Sequence, residues 1–348
     1  MLTKIESTTH EAVYQVSDRE SGLQGFIAVH STHLGPAAGG LRMREYDTAQ
    51  AALQDVLNLS EGMTFKNAAA GLPLGGGKAV IIGNPATGKT PALLRAMGRA
   101  VDALNGRYWT AEDMGMSPQD MAELARETRF VAGLDTGRHA SGDPSPVTAE
   151  GVFNAMKTGA AHHFGSDDLK GKTVAVQGLG HVGWHLCQML NRAGARLIVA
   201  DMDKERVLAA QKAFGAAETT ATEIHSATAD IFAPCAIGGI LNADTIPELR
   251  AKLVCGAANN QLAQPSDADL LAERGILYLP DYVANGGGII NVAAEILRIE
   301  DREPWVAQKL DTLRLTMERI LIRARAERIS PAHVADKTVS EDILKQAV

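Results

Sequence analysis

Two lysines, Lys66 and Lys78, are the residues of this 348-residue chain whose type and spacing most directly suggest chemistry. They lie in segment 62–78, which reads GMTFKNAAAGLPLGGGK and contains no acidic side chain. Two ammonium groups set in such a segment can hold one small anionic substrate. The triple glycine allows the backbone to approach a ligand or another strand closely. The alternative is a buried glycine-rich turn whose two lysines reach solvent along their alkyl chains.

A second candidate site is Gly178-Leu179-Gly180-His181-Val182-Gly183, which fits the dinucleotide-binding pattern G-x-G-x-x-G. It follows a predicted strand, opens a predicted helix and precedes a second strand that ends in Asp201. The first glycine makes the turn, the second admits a pyrophosphate against backbone N–H groups, and the third packs helix on strand. Asp201 can accept hydrogen bonds from ribose hydroxyls, which favours NAD, while the nearby Lys204 and Arg206 leave NADP open.

Residues 83–90, GNPATGKT, fit the phosphate-binding pattern G-x-x-x-x-G-K-[ST] and suggest an alternative, an enzyme that uses a nucleoside triphosphate. Pro85 removes a backbone N–H from a loop that works through its N–H groups. The first half of the chain also offers no convincing apolar strand that ends in an aspartate for magnesium. We therefore expect a surface turn at this position.

The elements predicted around these residues alternate between strand and helix, which is typical of α/β proteins. A Gly-, Pro-, Ser- and Asp-rich stretch at 135–146 is the best candidate for a linker. The elements predicted near the candidate sites are a helix over 48–61, strands over 24–31, 41–44, 79–82 and 108–111, a helix from Ser117 and, beyond the linker, strands over 173–177 and 196–200 around a helix over 181–192.

We expect an α/β protein of two domains with a cleft between them. An N-terminal α/β domain, residues 1–135 plus 328–348, would bind the substrate and make the oligomer contacts. A Rossmann dinucleotide-binding domain would occupy residues 136–327.

The composition argues against several classes of function. The net charge of −7 gives no general attraction to nucleic acid. No apolar stretch approaches the length of a membrane span, and the N-terminus opens no signal-like run. The three cysteines are far apart and fit the reduced thiols of a cytoplasmic protein. No metal-binding pattern is evident, so we expect no metal site.

Seven segments together resemble the Glu/Leu/Phe/Val amino-acid dehydrogenase family, and most closely its leucine dehydrogenases. They follow one another through nearly the whole chain, which is far more specific than any one motif. The segments are Gly35-Pro36 with Gly39-Gly40, Gly62-Met63-Thr64 with Lys66, Gly75-Gly76-Gly77-Lys78, Glu112-Asp113-Met114-Gly115, Gly142-Asp143-Pro144-Ser145-Pro146-Val147-Thr148, Gly256-Ala257-Ala258-Asn259-Asn260-Gln261 and Pro280-Asp281-Tyr282-Val283.

The resemblance implies reversible, NAD-dependent oxidative deamination of an L-amino acid to its 2-oxo acid and ammonia, by a homo-oligomer. It implies that Lys66 binds the substrate α-carboxylate, that Lys78 is the catalytic lysine, and that Asp113 assists proton transfer at the amine. A neutral lysine amine can act as general base for water that attacks the iminium carbon. Thr148 and Asn259 match positions that contact the nicotinamide end of the cofactor.

The resemblance also bears on the substrate side chain. Glutamate-specific members carry a lysine and a serine where this chain has Ala38 and Val292, so a side-chain carboxylate would be desolvated without a partner, at a cost on the order of several kcal/mol. We expect an apolar substrate such as leucine, valine or isoleucine. Leucine dehydrogenases tend to carry a leucine in place of Ala38, so the smaller residue keeps phenylalanine or another aromatic amino acid open. The residues expected to line the apolar pocket are Ala38, Gly39, Met63, Ala111, Ile289 and Val292.

Overall fold

The computed structural model describes residues 1–341 and divides them into two compact α/β units. The first unit comprises Met1–Pro144 and Ile289–Ala307, and the second comprises Ser145–Gly288 and residues 308–341. No helix within residues 1–341 is long and apolar enough to cross a membrane. The α/β fold with two domains that the sequence predicts is confirmed.

The first unit is built on a mixed six-stranded sheet in the order β1-β2-β3-β5-β4-β6. Neighbouring strands from β1 to β5 are antiparallel, whereas β4 is parallel to both β5 and β6. The sequence patterns missed the first two strands. The strands and helices of this unit are β1 (Leu2–Ile5), β2 (Ala12–Asp18), β3 (Leu23–Ser31), β4 (Ala37–Arg44), α1 (Ala49–Ala69), β5 (Gly75–Ile82), α2 (Pro91–Asp102), β6 (Tyr108–Glu112) and α3 (Pro118–Leu124).

Helix α1 is longer than the sequence predicts. The Thr48 hydroxyl caps its N-terminus by accepting a hydrogen bond from the backbone N–H of Ala51 at 3.1 Å. The predicted end at residue 61 is wrong, because Gly62 stays within the helix and the chain leaves it only at Gly71, whose φ of 60° is left-handed. Lys66 therefore lies on a helix and not in a glycine-rich loop.

The sheet of the first unit is covered on both faces. Alternate residues of β5 belong to two different apolar clusters: Ile81 packs with α2 and α3, and Val80 packs with Val56 of α1. Because side chains alternate along a strand, Lys78 projects from the same face as Val80, the face that α1 covers. Strand β5 begins at Gly75 and not at residue 79, so the glycines and Lys78 are part of the sheet.

The second unit contains a parallel sheet in the order β12-β11-β10-β7-β8-β9. Counted from β7, this is the 3-2-1-4-5-6 strand order of the doubly wound dinucleotide-binding fold. The strands and helices of this unit are α4 (Ser145–Phe164), β7 (Thr173–Gln177), α5 (His181–Arg192), β8 (Arg196–Ala200), α6 (Lys204–Phe214), β9 (Ala217–Glu218), β10 (Ile231–Pro234), β11 (Leu253–Val254), α7 (Asp267–Glu273), β12 (Leu277–Tyr278), α8 (Asp281–Ala284) and α11 (Pro331–Val339).

Two helices carry the chain from one unit to the other, α9 (Gly287–Ile296) and α10 (Arg302–Glu327). In the first unit, the buried carboxylate of Glu295 on α9 accepts hydrogen bonds from the backbone N–H of Gly133 at 2.8 Å and from the Ser141 hydroxyl at 2.6 Å. These bonds explain why residues after 288 return to the first unit.

The C-terminal part differs from the division that the sequence suggests. His333 of α11 contacts Asp269 of α7 at 2.8 Å, and Leu313 of α10 packs against Gly286, so residues 308–341 belong to the second unit. The sequence-based division placed 328–348 in the first domain. Residues 342–348 of that range, with the predicted end of the last helix, lie outside the described residues.

Candidate active site

The first unit holds a close ion pair between two of the residues singled out by the sequence. The Lys78 ammonium lies 2.7 Å from Oδ2 of Asp113, which directly follows β6. The Lys78 side chain is only 8% exposed and that of Asp113 is 21% exposed, so neither charge is fully solvated. In sequence Lys78 has no acidic neighbour, but the fold supplies one from another strand.

Arg42 is a third member of this cluster, and the sequence analysis missed it. Its Nε lies 3.2 Å from the same Asp113 oxygen, and its Nη1 lies 3.1 Å from Oδ2 of Asp55 on α1. Burial by itself raises the pKa of Asp113, but the Lys78 and Arg42 charges outweigh it and lower the pKa to about 2. Asp113 is therefore a carboxylate at neutral pH. Tyr46 extends the cluster by donating its hydroxyl to Asp55 at 2.6 Å.

The backbone around the pair leaves little room. A Cβ at Gly40 would lie 2.7 Å from Cβ of Asp113 and 3.3 Å from the Lys78 ammonium. The buried Tyr108 hydroxyl donates to the carbonyl oxygen of Gly39 at 2.9 Å and fixes the backbone beside it. Strand β4 thus needs glycine at position 40 for the ion pair to form.

The triple glycine of β5 serves contacts within the fold. A Cβ at Gly76 would lie 2.2 Å from the backbone nitrogen of Thr64 and 2.5 Å from the carbonyl oxygen of Ser60, so α1 lies directly against the strand. Asn67 of α1 adds a hydrogen bond to the Gly75 carbonyl oxygen at 2.6 Å. The sequence left two uses open for these glycines, close approach to a ligand and close approach to another part of the chain. The structure shows the second, because the strand lies directly against helix α1.

The expected substrate-binding residues all belong to the first unit. Lys66 is half-buried on α1, and Met63 precedes it by one helical turn, so the two side chains point to the same side of the helix. The Met63 side chain lies against Gly39, where a Cβ would come within 2.9 Å of it. The remaining pocket candidates are buried side chains on β4, β6 and α9: Ala38, Ala111, Ile289 and Val292.

The glycine-rich loop of the second unit has the geometry of a dinucleotide-binding turn. A Cβ at Gly183 would lie 2.0 Å from the carbonyl oxygen of Gly178, so α5 packs tightly on the loop. At Gly180, by contrast, the one contact that the described part of the chain would make with an added Cβ is with the Arg206 guanidinium, at 3.9 Å. Within residues 1–341 no side chain caps the N-terminus of α5, so the N–H groups at His181 and Val182 can receive a pyrophosphate.

Asp201 follows β8 beside this loop, as expected, and it has a further contact. Its Oδ2 accepts a hydrogen bond from the backbone N–H of Leu179 at 2.6 Å, and its Oδ1 accepts one from the backbone N–H of Asp203 at 2.8 Å. The carboxylate therefore shapes the glycine-rich loop itself. Each oxygen has a second lone pair, which leaves it able to accept a ribose hydroxyl as well.

The two residues expected at the nicotinamide end also lie in the second unit. Thr148 is in the first turn of α4, and Asn259 follows β11. The buried Asn285 donates to Oδ1 of Asn259 at 2.7 Å and to the carbonyl oxygen of Ala257 at 3.1 Å. Asn285 thereby fixes the orientation of the Asn259 side chain, a role that the sequence analysis did not assign.

The phosphate-loop alternative at 83–90 finds no support in the geometry. The backbone N–H groups of residues 86–88 all donate to Asn84 and so are not directed at a ligand. Lys89 pairs with Asp120 at 2.7 Å. The segment is a turn that closes on itself, as the sequence analysis expected.

Comparison with known proteins places these features in one family. Residues 10–130 match the dimerisation domain of Glu/Leu/Phe/Val dehydrogenases, and residues 141–221 and 200–330 match the Glutamate/Leucine/Phenylalanine/Valine dehydrogenase domain. Leucine dehydrogenase of Geobacillus stearothermophilus is 48% identical over 97% of this chain and 92% of its own length. Valine dehydrogenase of Streptomyces virginiae is 46% identical over 95% and 93%.

A solved structure agrees with these sequence relatives. L-tryptophan dehydrogenase from Nostoc punctiforme superposes with a TM-score of 0.84 at 41% identity and covers 97% of both chains. The family resemblance seen in the sequence is thereby confirmed. The chain belongs to the Glu/Leu/Phe/Val dehydrogenase family and is an amino-acid dehydrogenase.

Proposed function

We propose that the chain catalyses the reversible, NAD-dependent oxidative deamination of an apolar L-amino acid to its 2-oxo acid and ammonia. The observation that carries this proposal is the buried contact of 2.7 Å between Lys78 and Asp113, in the unit matched by the dehydrogenase family. A cation and a carboxylate held together in a partly desolvated site are suited to moving protons at a reacting amine.

The roles proposed for the individual residues are those that the family resemblance implies, and the charges of the residues are consistent with them. Lys66 anchors the substrate carboxylate by its ammonium group. The Asp113 carboxylate takes a proton from the substrate α-ammonium, which frees the nitrogen lone pair. When bound, NAD would supply the acceptor for the hydride that leaves the substrate Cα. Lys78, as the neutral amine left when its ammonium loses a proton to solvent, then takes a proton from the water that adds to the iminium carbon. Asp113 returns its proton to the amino group, and ammonia leaves as the new hydroxyl group loses its proton to solvent and the 2-oxo acid forms.

In the second unit, NAD would be held by the N–H groups and glycines of 178–183 at the pyrophosphate and by Asp201 at the adenosine ribose. Thr148 and Asn259 would contact the nicotinamide end. The open position at Gly180 and the N-terminus of α5, which no described side chain caps, support this assignment.

The substrate preference follows from the apolar character of the pocket candidates. Ala38 is fully buried, and Val292 is 8% exposed, so neither position offers a cation or hydroxyl to a side-chain carboxylate. We propose leucine-, valine- or isoleucine-like substrates, in line with the leucine and valine dehydrogenases among the relatives. The small Ala38 keeps an aromatic substrate as the second candidate, and the L-tryptophan dehydrogenase structure is consistent with it.

We also propose a homo-oligomer, because the domain matched over residues 10–130 is described as a dimerisation domain. The number of subunits and a cytoplasmic location stay predictions.

The substrate assignment is tested by measuring NADH formation with L-leucine, L-valine, L-isoleucine, L-phenylalanine, L-tryptophan and L-glutamate. We expect turnover with the apolar amino acids and essentially none with L-glutamate. Ala38→Leu serves as a companion variant: it should lower kcat/KM for the aromatic substrates about 10- to 200-fold more than for L-valine, because added side-chain volume is worth about 1–3 kcal/mol. An absence of NADH formation with every amino acid, by a folded protein, would contradict the proposal.

A further inference from the structure

Arg42 bridges two carboxylates that come from different elements. Its Nε donates to Asp113 at 3.2 Å, and its Nη1 donates to Oδ2 and Oδ1 of Asp55 at 3.1 and 3.4 Å. The Arg42 side chain is 13% exposed. A largely buried arginine with two carboxylate partners is restricted in its geometry, because its planar guanidinium offers donors in set directions.

The anchor on α1 is itself held in place. Tyr46 donates its hydroxyl to Oδ2 of Asp55, the same atom that accepts the closer bond from Arg42. Burial and the hydrogen bond to Asp55 raise the pKa of Tyr46 above its ordinary value, so Tyr46 remains a donor at physiological pH. The chain of contacts therefore runs from Tyr46 through Asp55 and Arg42 to Asp113.

Both cations at Asp113 contact the same oxygen. Lys78 and Arg42 each lie within hydrogen-bonding distance of Oδ2. Two donors that converge on one oxygen restrict the rotation of the carboxylate, and the backbone N–H of Met114 is a further hydrogen-bond donor to Asp113. In the proposed reaction, Oδ1, which neither cation contacts, meets the substrate amine.

The other charged and titratable groups around Asp113 are few. Glu112 precedes it on β6, and burial together with neighbouring carboxylates, including Asp113, raises the pKa of Glu112. Tyr108 on the same strand is a buried, neutral phenol, and burial together with the Asp113 charge raises its pKa. From α1, Asp55 reaches the cluster through Arg42, and Lys66 is on the same helix. Lys78 and Arg42 are the two cations that contact the Asp113 carboxylate directly within the described residues.

We propose that Arg42, anchored on Asp55, is a positioning residue that fixes the Asp113 carboxylate against Lys78 with one oxygen turned to the substrate amine. It acts through Asp113 and does not itself touch the substrate. The inference rests on the catalytic role proposed above for Asp113, and it extends that role to residues that no sequence motif connects.

The test compares Arg42→Gln, Arg42→Lys and Asp55→Asn in the full chain, by the pH dependence of kcat/KM with the best apolar amino acid. Arg42→Gln removes a cation beside Asp113, so the Asp113 pKa rises above its value of about 2 and protonation of Asp113 lowers kcat/KM at a higher pH than in wild type. Its kcat should fall about 100-fold through misplacement of the carboxylate, while KM for NAD stays unchanged.

The two other variants separate charge from position. Arg42→Lys keeps the cation but cannot bridge two carboxylates as a fork does, so the acidic limb stays near its wild-type pH while kcat is reduced. Asp55→Asn keeps Arg42 but weakens its anchor, and it should give the same pattern with a smaller loss. Arg95→Gln is the matched control, because Arg95 pairs with Glu123 on α3 in the same unit, and this variant should behave as wild type.

A second readout does not depend on turnover. The ¹³C carboxyl resonance of Asp113, identified by its loss in Asp113→Asn, should titrate at higher pH in Arg42→Gln than in wild type. If both the titration and the pH profile are unchanged in Arg42→Gln, the proposal is wrong even if the rate falls. If Arg42→Gln does not fold, Arg42→Lys and Asp55→Asn decide. A reduced kcat with an unchanged acidic limb in these two variants supports the proposal, and an unchanged kcat contradicts it. A wild-type protein inactive on all amino acids would overturn the proposed function, and the titration would still decide the role of Arg42.

Discussion

At the scale of single residues, the central feature is a lysine whose partner comes from another strand. The sequence identified Lys78 by its glycine-rich, uncharged setting and Asp113 through the family resemblance, and it correctly placed Asp201 after the strand that follows the glycine-rich loop. It did not identify Arg42, Asp55 or Tyr46, because no spacing rule connects a residue of β4 with one that follows β6. The available signal was a charged residue, Arg42, two positions after Gly40 within a largely buried strand.

Asp201 provides a prediction about coenzyme preference. Asp201→Ser removes the carboxylate that we expect to accept ribose hydroxyls and that accepts a hydrogen bond from the Leu179 N–H at 2.6 Å. Arg206, whose guanidinium lies 3.9 Å from the Cβ position of Gly180 and pairs with Asp203 at 3.3 Å, could then contact a 2′-phosphate that the Asp201 carboxylate no longer repels. We expect kcat/KM to fall for NAD and the NADP/NAD ratio to rise at least about tenfold, or roughly 1.4 kcal/mol. Steady-state kinetics with both coenzymes checks this, and an unchanged ratio would contradict it.

At the scale of elements, the sequence predicted most strands and helices near the site but not where α1 ends or β5 begins. A glycine can interrupt a helix or be tolerated in it, and local sequence does not decide between the two. Gly62 is tolerated because the helix continues to pack on the sheet, whereas Gly71 ends it with a left-handed φ. Placement of the edge strand β1 depends on its pairing with β2, which is a tertiary contact.

The packing of α1 on β5 gives a paired prediction about stability. Gly76→Ala would place a Cβ 2.2 Å from the Thr64 backbone nitrogen, so α1 must shift, at a cost of about 1–3 kcal/mol or more. Gly62 lies on the exposed side of the same helix, and none of the residues 1–341 would come within 4 Å of an added Cβ, so Gly62→Ala should stabilise the protein by about 0.5–1 kcal/mol. Urea unfolding measures both. Equal stability of the two variants would mean that helix and strand are not in such close contact.

At the scale of the whole molecule, the two-domain α/β organisation followed from the alternating elements, the dinucleotide pattern and the order of the family motifs. The return of the chain through α9 and α10 could not be predicted in the same way. It depends on the bonds that Glu295 accepts from Gly133 and Ser141, and on the contact of His333 with Asp269. Such long-range pairs leave no local pattern in the sequence.

The electrostatics of the ion pair predict a pH dependence of stability. Burial raises the pKa of Asp113, but Lys78 and Arg42 outweigh it and bring the pKa to about 2, below the value of about 3.9 in an unfolded chain. Because the folded-state pKa is the lower one, the stabilisation is fully present above about pH 4 and is lost as the pH falls towards 2. It amounts to about 2–3 kcal/mol.

This dependence can be isolated by comparing the free energies of unfolding of wild type and Asp113→Asn between pH 3 and pH 6. The free energy of unfolding of the wild type should exceed that of the variant by a constant amount above about pH 4.5, and this difference should shrink below about pH 4. A difference that does not change with pH would mean that Asp113 is not held as a low-pKa carboxylate.

The most direct test of the central claim compares Lys78→Ala with Lys89→Ala. Both lysines make a 2.7 Å contact with an aspartate in the first unit, but only Lys78 is placed at the proposed reaction centre. We predict that Lys78→Ala lowers kcat for oxidative deamination about 10²- to 10⁴-fold with little change in NAD affinity, while Lys89→Ala remains close to wild type. Near-equal kcat values for the two folded variants would contradict the catalytic role of the Lys78–Asp113 pair.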